Sequence, residues 1–288
     1  RGLDEYYLVA VGALLLAMVV FAPDGLAAFI GTRATSAPMR ESAPIGAAVF
    51  PIDTAPVLTV EHVSKRYGGI QALDAVDLSI GAGEIIGLIG PNGAGKTTLA
   101  NIVSGLDRAD VGTLRASGLD LATATPTAIA RHGVARTFQT PQLPDQLSVR
   151  ATIKIAAANI GRVVDTNAVI AACGLADIAD AACGSLPHGM RRRVEIARAL
   201  AGRPMLMLID EPAAGLAPQE QLDVAAILQS QAARGLAILV IDHNLEFLKP
   251  LAARLACLDG GRLIAEGPTA EVLAASAVQD AYFGLVTP

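Results

Sequence analysis

The octapeptide GPNGAGKT, from Gly90 to Thr97, has the residue types and spacing of a phosphate cradle. Its glycines let backbone N–H groups turn toward an anion, and the helix predicted to follow it (TTLANIVSG) presents the positive end of its dipole to the same place. Within the cradle, Lys96 can neutralise the β- and γ-phosphates of a nucleotide, and the Thr97 hydroxyl can hold Mg2+. A second station is MLMLIDEP, where four apolar residues drive a strand into a sheet. Asp210 then emerges at the strand's carboxyl end, the side of an open α/β sheet where ligands bind, and can hold the metal. Glu211, one step further on, can polarise an attacking water. Gln139 follows the strand-like VARTF, and its neutral amide can reach metal or water and also sense a neighbouring chain. His243 closes VIDHN at the end of another apolar run. Each station has a plainer reading by itself, a glycine-rich turn or a solvated acidic loop. A buried strand before the cradle, a helix after it and the pairing of the stations favour catalysis.

The elements that must position these groups follow from Val57 onward. VLTVEHV and VDLSI alternate like strands, and EIIGLIG is the continuous apolar run of a central strand buried on both faces. MLMLID, LAILVID and RLACLD predict further buried strands with helical segments between them, so the class is α/β. Residues 148–184 are alanine-rich and helical without a strand candidate, which makes them a helical insertion, placed at about 141–195. No internal repeat and a single phosphate cradle predict one nucleotide-binding unit.

Composition limits the partners. With 22 basic and 27 acidic residues among 288, the net charge of −5 offers no general attraction to nucleic acid. Arg191, Arg192 and Arg193 form the one basic run that could argue otherwise. Successive helical residues point about 100° apart, and Arg191 can pair with Glu195 one turn on, so the run is expected to be a solvated helix face. Cys173, Cys183 and Cys257 are odd in number and lack metal-ligand spacing, which predicts reduced core thiols.

Upstream, no charge falls between Tyr6 and Ala22, and a helix of that length spans about 25 Å, close to the hydrocarbon thickness of a bilayer. Tyr6 and Tyr7 stand where interfacial aromatics belong, and Pro23-Asp24-Gly25 stops the helix. A secretory signal would have a basic start rather than Asp4 and Glu5, and an all-round apolar helix is hard to seat in a soluble fold. A transmembrane helix is therefore expected in residues 1–30. Residues 31–56 are rich in Pro, Ala, Ser and Thr and read as a linker whose Arg33 and Arg40 favour the cytoplasmic side.

The ordered set of Gly90–Thr97, Gln139, SLPHGMRRRVEIARAL, Asp210-Glu211 and His243 resembles the ATP-binding cassette (ABC) family over residues 57–288. The resemblance implies a P-loop NTPase with a RecA-like core, a β subdomain and the helical insertion. ATP and Mg2+ are its implied ligands, with Gly90, Pro91, Asn92, Gly93, Ala94, Gly95, Lys96, Thr97 and Thr98 around the phosphates. It makes Tyr67 the aromatic stacked on adenine, Gln139 the Q-loop amide at the metal beside Thr97 and Asp210, Glu211 the catalytic base and His243 the γ-phosphate switch. Leu186, Pro187, His188, Gly189 and Met190 occupy the family's signature, which caps the ATP held by a second cassette, identical or not. Two departures stand out. Pro187 removes the signature hydroxyl, leaving the helix N-terminus as donor, and Ala217 replaces the usual D-loop aspartate or asparagine, leaving site-to-site communication to other groups.

GVARTFQTPQL, IDEPAAGLAPQE and GRLIAEGPTAEVLAASAVQDAYFG narrow the resemblance to ATPases of branched-chain amino acid importers and their urea and amide relatives. These work with permease subunits and an external solute-binding protein at a bacterial-type inner membrane. GALLLAMVVFAPDGLAAFIG resembles the last helix and tail of such a permease, so a permease–ATPase fusion is expected, with a first residue, Arg1, inside the longer chain. The rivals are an exporter half and a soluble ABC ATPase acting on nucleic acid or the ribosome. Membrane fractionation of the full-length protein separates the last from the others: the fusion pellets with membranes and resists carbonate extraction, and the soluble ATPase does not.

Overall fold

The computed structural model describes residues 55–283. The predicted span over Tyr6–Ala22 and the predicted linker up to residue 54 lie outside them. Among the described residues no helix is long and apolar enough to cross a membrane.

The core is a six-stranded sheet in the order β10-β9-β3-β8-β7-β6. β3 (Ile85–Ile89) lies between β9 (Arg254–Asp259) and β8 (Ala237–Ile241), and β8 carries β7 (Leu206–Asp210) and then β6 (Val134–Arg136). These five run parallel, while β10 (Arg262–Pro268) pairs antiparallel at the edge. Side chains alternate across the sheet, as strand geometry requires. Ile85, Ile89, Met207, Ile209, Ile238 and Val240 enter one core, and Ile86, Leu88, Leu206, Leu208, Leu239 and Ile241 enter the other. Continuous apolar runs are thus strands buried on both faces.

A second, antiparallel sheet in the order β2-β1-β4-β5 covers the latter core. It comprises β1 (Leu58–Tyr67), β2 (Ile70–Ile80), β4 (Val111–Ala116) and the short β5 (Leu119–Asp120). Helix α1 (Lys96–Val103) packs on the same side through Leu99, Ala100, Ile102 and Val103. Between β5 and β6 lies α2 (Pro126–His132), capped by the Thr125 hydroxyl at its start and by Gly133 at its end.

The other core is covered by α3 (Val149–Asn159), α4 (Thr166–Ala172) and α5 (His188–Leu200). The insertion has a neck: Ser148 bridges Ala182, the Arg150 N–H donates to the Ala179 carbonyl at 2.8 Å and the Cys183 N–H to the Leu147 carbonyl at 2.9 Å. That bridge is the one extended feature in a stretch whose sequence predicts helix alone. After β7 come α6 (Pro218–Ala232) and, past β8, α7 (Leu245–Leu251). The chain ends in α8 (Thr269–Ala274) and α9 (Ser276–Phe283). All three cysteines are free and buried.

Space at β3 is fully used. A Cβ added at Gly87 would lie 2.4 Å from Leu255 Cδ2 and 3.3 Å from Leu248 Cδ2. Gly87→Ala is therefore expected to lower unfolding free energy by about 1–3 kcal/mol through overpacking, as read by urea denaturation.

Candidate nucleotide site

The loop that leaves β3 is shaped by close backbone contacts. Gly90 has φ +144, and a Cβ there would lie 2.1 Å from the Leu258 carbonyl oxygen. Gly95 has φ +106, and a Cβ there would approach the Ala72 carbonyl to 2.5 Å. Only glycine fits either position. Between them Pro91 is half-buried, Asn92 and Gly93 are exposed and Ala94 is buried, so the middle of the loop faces outward. Lys96 begins α1 with its ammonium donating to the carbonyls of Gly90 at 2.6 Å and Pro91 at 2.8 Å. Burial pulls the Lys96 amine below its usual range, and the nearby Glu211, Cys257 and Asp210 act in the opposite direction. Thr97 is exposed on the first turn of α1, and Thr98 stands beside the Tyr67 hydroxyl.

Asp210 ends β7 at the carboxyl edge of the sheet. Burial pushes its carboxyl up, and Arg136, 3.5 Å away on β6, pulls it back. Arg136 also donates to Asn101 Oδ1 on α1 at 2.7 Å and to Ser104 Oγ, just past its end, at 3.1 Å, and its guanidinium lies 5.4 Å from the Phe138 ring. Glu211 follows with φ +44, a left-handed conformation that costs a non-glycine residue about 1–3 kcal/mol. Its N–H donates to the Ile241 carbonyl at 2.7 Å, which extends the β7–β8 ladder by one residue. Gln139 Nε2 donates to one Glu211 carboxylate oxygen at 2.6 Å, and His243 Nδ1 stands 3.5 Å from the other. Asp242, almost fully buried, accepts the Asn244 N–H at 2.9 Å and the Ala213 N–H at 3.2 Å, tying the His243 loop to the Glu211 loop.

Lys96, Gln139, Asp210, Glu211 and His243 thus form one cluster at the carboxyl ends of β3, β6, β7 and β8. Tyr67 stands at its rim, 44% exposed, with its hydroxyl donating to Asp107 and Lys65 5.1 Å from its ring. That hydrogen bond, with burial, holds the Tyr67 phenol above its usual range. Leu186, Pro187, His188, Gly189 and Met190 instead meet the loop after Glu211. His188 Nε2 is 3.2 Å from the Ala214 carbonyl oxygen, and a Cβ on Gly189 would overlap the Glu220 carboxylate at 2.1 Å. Pro187 and His188 are exposed at the start of α5.

The residues present fit a magnesium nucleotide. The loop offers backbone donors and an ammonium satisfied only by carbonyls, while Thr97, Gln139 and Asp210 supply a hydroxyl, an amide and one carboxylate. Among the described residues no cluster of three His, Cys, Asp or Glu could hold a metal alone. That is the donor set of Mg2+ held largely through phosphates and water.

The ABC transporter family profile matches residues 73–214. Across 254 residues the chain is 31% identical to the probable branched-chain amino acid transport ATP-binding protein LivG of Methanocaldococcus jannaschii, covering 81% of this chain and 99% of that one. The chain belongs to the ABC transporter family. It is 34% identical to the lipopolysaccharide export system ATP-binding protein LptB of Escherichia coli, over 79% of this chain and 97% of that one. The crystal structure of an ABC transporter cassette in its ADP conformation superposes with a TM-score of 0.73 at 29% identity, covering 80% of this chain and 99% of that one. The cassette is accordingly an ATP-hydrolysing transporter subunit on a P-loop α/β fold.

One expectation is corrected. Arg191 does not pair with Glu195 on a solvated face: it reaches Asp145 at 2.9 Å, and Arg193 pairs with Asp223. Arg192 and Glu195 are both fully buried and pair with each other at 2.8 Å, because this side of α5 lies beneath residues 138–139 rather than facing water. All three arginines have carboxylate partners, so they do not form a free basic patch. Arg136 and Tyr282, whose hydroxyl accepts the Gly90 N–H at 2.7 Å, were also hidden in the sequence. Arg136 had one signal, an arginine inside the strand-like VARTF, where a charge needs a buried partner.

Removing Arg136 leaves Asp210 beside Glu211 without its counter-charge. Arg136→Met is expected to cost roughly 2–3 kcal/mol of unfolding free energy, and Arg136→Lys less, in denaturant titrations of the nucleotide-free cassette.

Proposed function

We propose that the cassette is the ATPase of an importer for branched-chain amino acids or related small solutes. The observation that carries this reading is the near end-to-end match to the LivG protein. The phrases GVARTFQTPQL and AVQDAYFG support it. Residues 1–30 are read as the last helix and tail of a permease, residues 31–56 as the linker and 57–288 as the ATPase, on the resemblance of GALLLAMVVFAPDGLAAFIG. The partners are a second cassette, permease subunits and an external solute-binding protein, with the ATPase on the cytoplasmic face.

In this reading Gly90–Thr98 wraps the phosphates and Lys96 neutralises them. Tyr67 stacks on the base, its hydroxyl held aside by Asp107 so that the ring is oriented. Thr97, Asp210 and Gln139 hold Mg2+, which supplies charge neutralisation at the phosphates. Glu211 accepts the proton of the attacking water, with Gln139 and His243 fixing its two oxygens. The signature of the second cassette brings the N-terminus of its α5, whose dipole favours the γ-phosphate even without the serine hydroxyl that Pro187 replaces. Closure and reopening of the pair then drive the permease.

Export is the second reading, favoured by the match to LptB. Transport in vesicles that depends on an external binding protein supports import, and binding-protein-independent efflux supports export.

Glu211→Gln is expected to bind ATP within about threefold of the native protein while turnover falls by roughly 100-fold or more, measured by nucleotide binding and phosphate release. Normal turnover in this variant would remove Glu211 from the role of base.

A further inference from the structure

Among the described residues Arg192 is the largest fully buried side chain, and the Glu195 carboxylate beside it is equally inaccessible. A buried charge of this kind persists only if its donors and acceptors are met, so where they point is informative. Arg192 Nη1 donates to Glu195 Oε2 at 2.8 Å and to the Phe138 carbonyl at 2.8 Å. Its Nη2 donates to the carbonyl of Gln139 and, at 3.2 Å, to the carbonyl of Glu211. Glu195 Oε1 accepts the Phe138 N–H at 3.1 Å, so the pair grips the backbone of residues 138–139 from both sides. Both terminal nitrogens are thus directed at the backbone of the two loops that carry Gln139 and Glu211.

The connected groups share a lever. Arg192 lies one turn from His188 on α5, so any displacement of the signature end of that helix carries the guanidinium with it. Glu211 holds a left-handed conformation, and one of the hydrogen bonds on its carbonyl comes from Arg192. Ala217 offers no polar side chain through which two sites could communicate, whereas this buried path does.

We propose that Arg192, backed by Glu195, is a positioning residue that couples the signature helix to the Gln139 and Glu211 loops of the same chain. Contact of Leu186–Met190 with the nucleotide of a second cassette then sets the catalytic groups of the first, so the two sites fire cooperatively. The proposal rests on the roles given above to Gln139, Glu211 and the signature. Only an arginine fork serves all four acceptors; a lysine keeps the charge and the partnership with Glu195 but reaches fewer carbonyls.

The test compares the full-length native protein with Arg192→Lys and Glu195→Gln in the assembled transporter, reading melting temperature, ATP affinity, kcat, KM and the Hill coefficient for ATP. Both variants should bind ATP within threefold of the native protein; Arg192→Lys should melt within a few degrees of it, and Glu195→Gln, which leaves the buried guanidinium without its counter-charge, about 10 °C lower. Their kcat should fall at least about tenfold with KM little changed, and the native Hill coefficient, above 1, should drop toward 1. A native coefficient of 1, an unchanged kcat, or a kcat loss that leaves cooperativity intact overturns the coupling. A loss of turnover matched by equal losses in binding and melting also overturns it, because the pair is then a structural support. If Arg192→Lys does not fold, the near-isosteric Glu195→Gln decides alone. Failure of the underlying site reading is separately visible, as normal turnover in Glu211→Gln.

Discussion

The register of β7 on β8 is the constraint on which the site depends. Pairing runs from Leu206 opposite Ala237 to Asp210 opposite Ile241, and the Glu211 N–H adds one more bond to Ile241 before the chain turns away. That bond brings Glu211 and the His243 loop out of the sheet side by side. Because β3 pairs in parallel with β8, up to Leu88 opposite Ile241, the phosphate loop leaves the same edge. A one-residue slip would turn Asp210 toward the opposite core and strand an acid among Leu and Ile. The apolar alternation of the strands therefore aligns the chemistry as well as the core.

The charges that this edge gathers are offset in pairs rather than by water. Asp210 has Arg136, Glu195 has Arg192, and Asp242 has two backbone N–H groups. Burial raises all three carboxyls, and these partners pull each back. Several of these partners also tie separate elements: Arg136 on β6 contacts α1, the Ala213 N–H lies in the loop after β7, and Arg192, on α5 with Glu195, donates to the carbonyls of Phe138, Gln139 and Glu211. Electrostatic compensation and the joining of loops are thus the same interactions. Glu211 is different, with only a neutral amide and an exposed imidazole on its oxygens. Such an environment suits the proton-accepting role proposed for Glu211.

The central strands and the phosphate loop were legible because they depend on local pattern: apolar runs of strand length, then glycines at fixed offsets. β4, β5 and β10 were not read, since they lie at or near sheet edges, carry few buried residues and lack a sustained alternation. The arginine triplet misled for a deeper reason. Three adjacent cations on a helix resemble a solvated surface, and only the passage of residues 138–139 over α5 gives Arg192 and Glu195 acceptors and donors. Burial created by a segment some fifty positions away leaves no mark in a helical window. The same holds for Tyr282, which meets Gly90 across nearly the whole domain.

The path through α5 has a mechanical requirement that its packing meets. Downstream of Arg192 the helix buries Val194, Ile196, Ala197 and Leu200 in the core shared with β7 and β8, so its far end is clamped. Its near end carries exposed Pro187 and His188 at the insertion's margin, where closure on a partner would act. Close-packed interiors resist small local distortions, and displacement at one end of a short helix is passed on as tilt. Gly189 belongs to this device: with no side chain it lets the Glu220 carboxylate, which also accepts the Ala217 N–H at 2.9 Å, lie against the start of α5. The signature is consequently held to the segment after Glu211 on one side and, through Arg192, to Gln139 and Glu211 on the other. In the proposed coupling, a contact made at Leu186–Met190 moves the helix together with the backbone of Gln139 and Glu211 to which Arg192 donates.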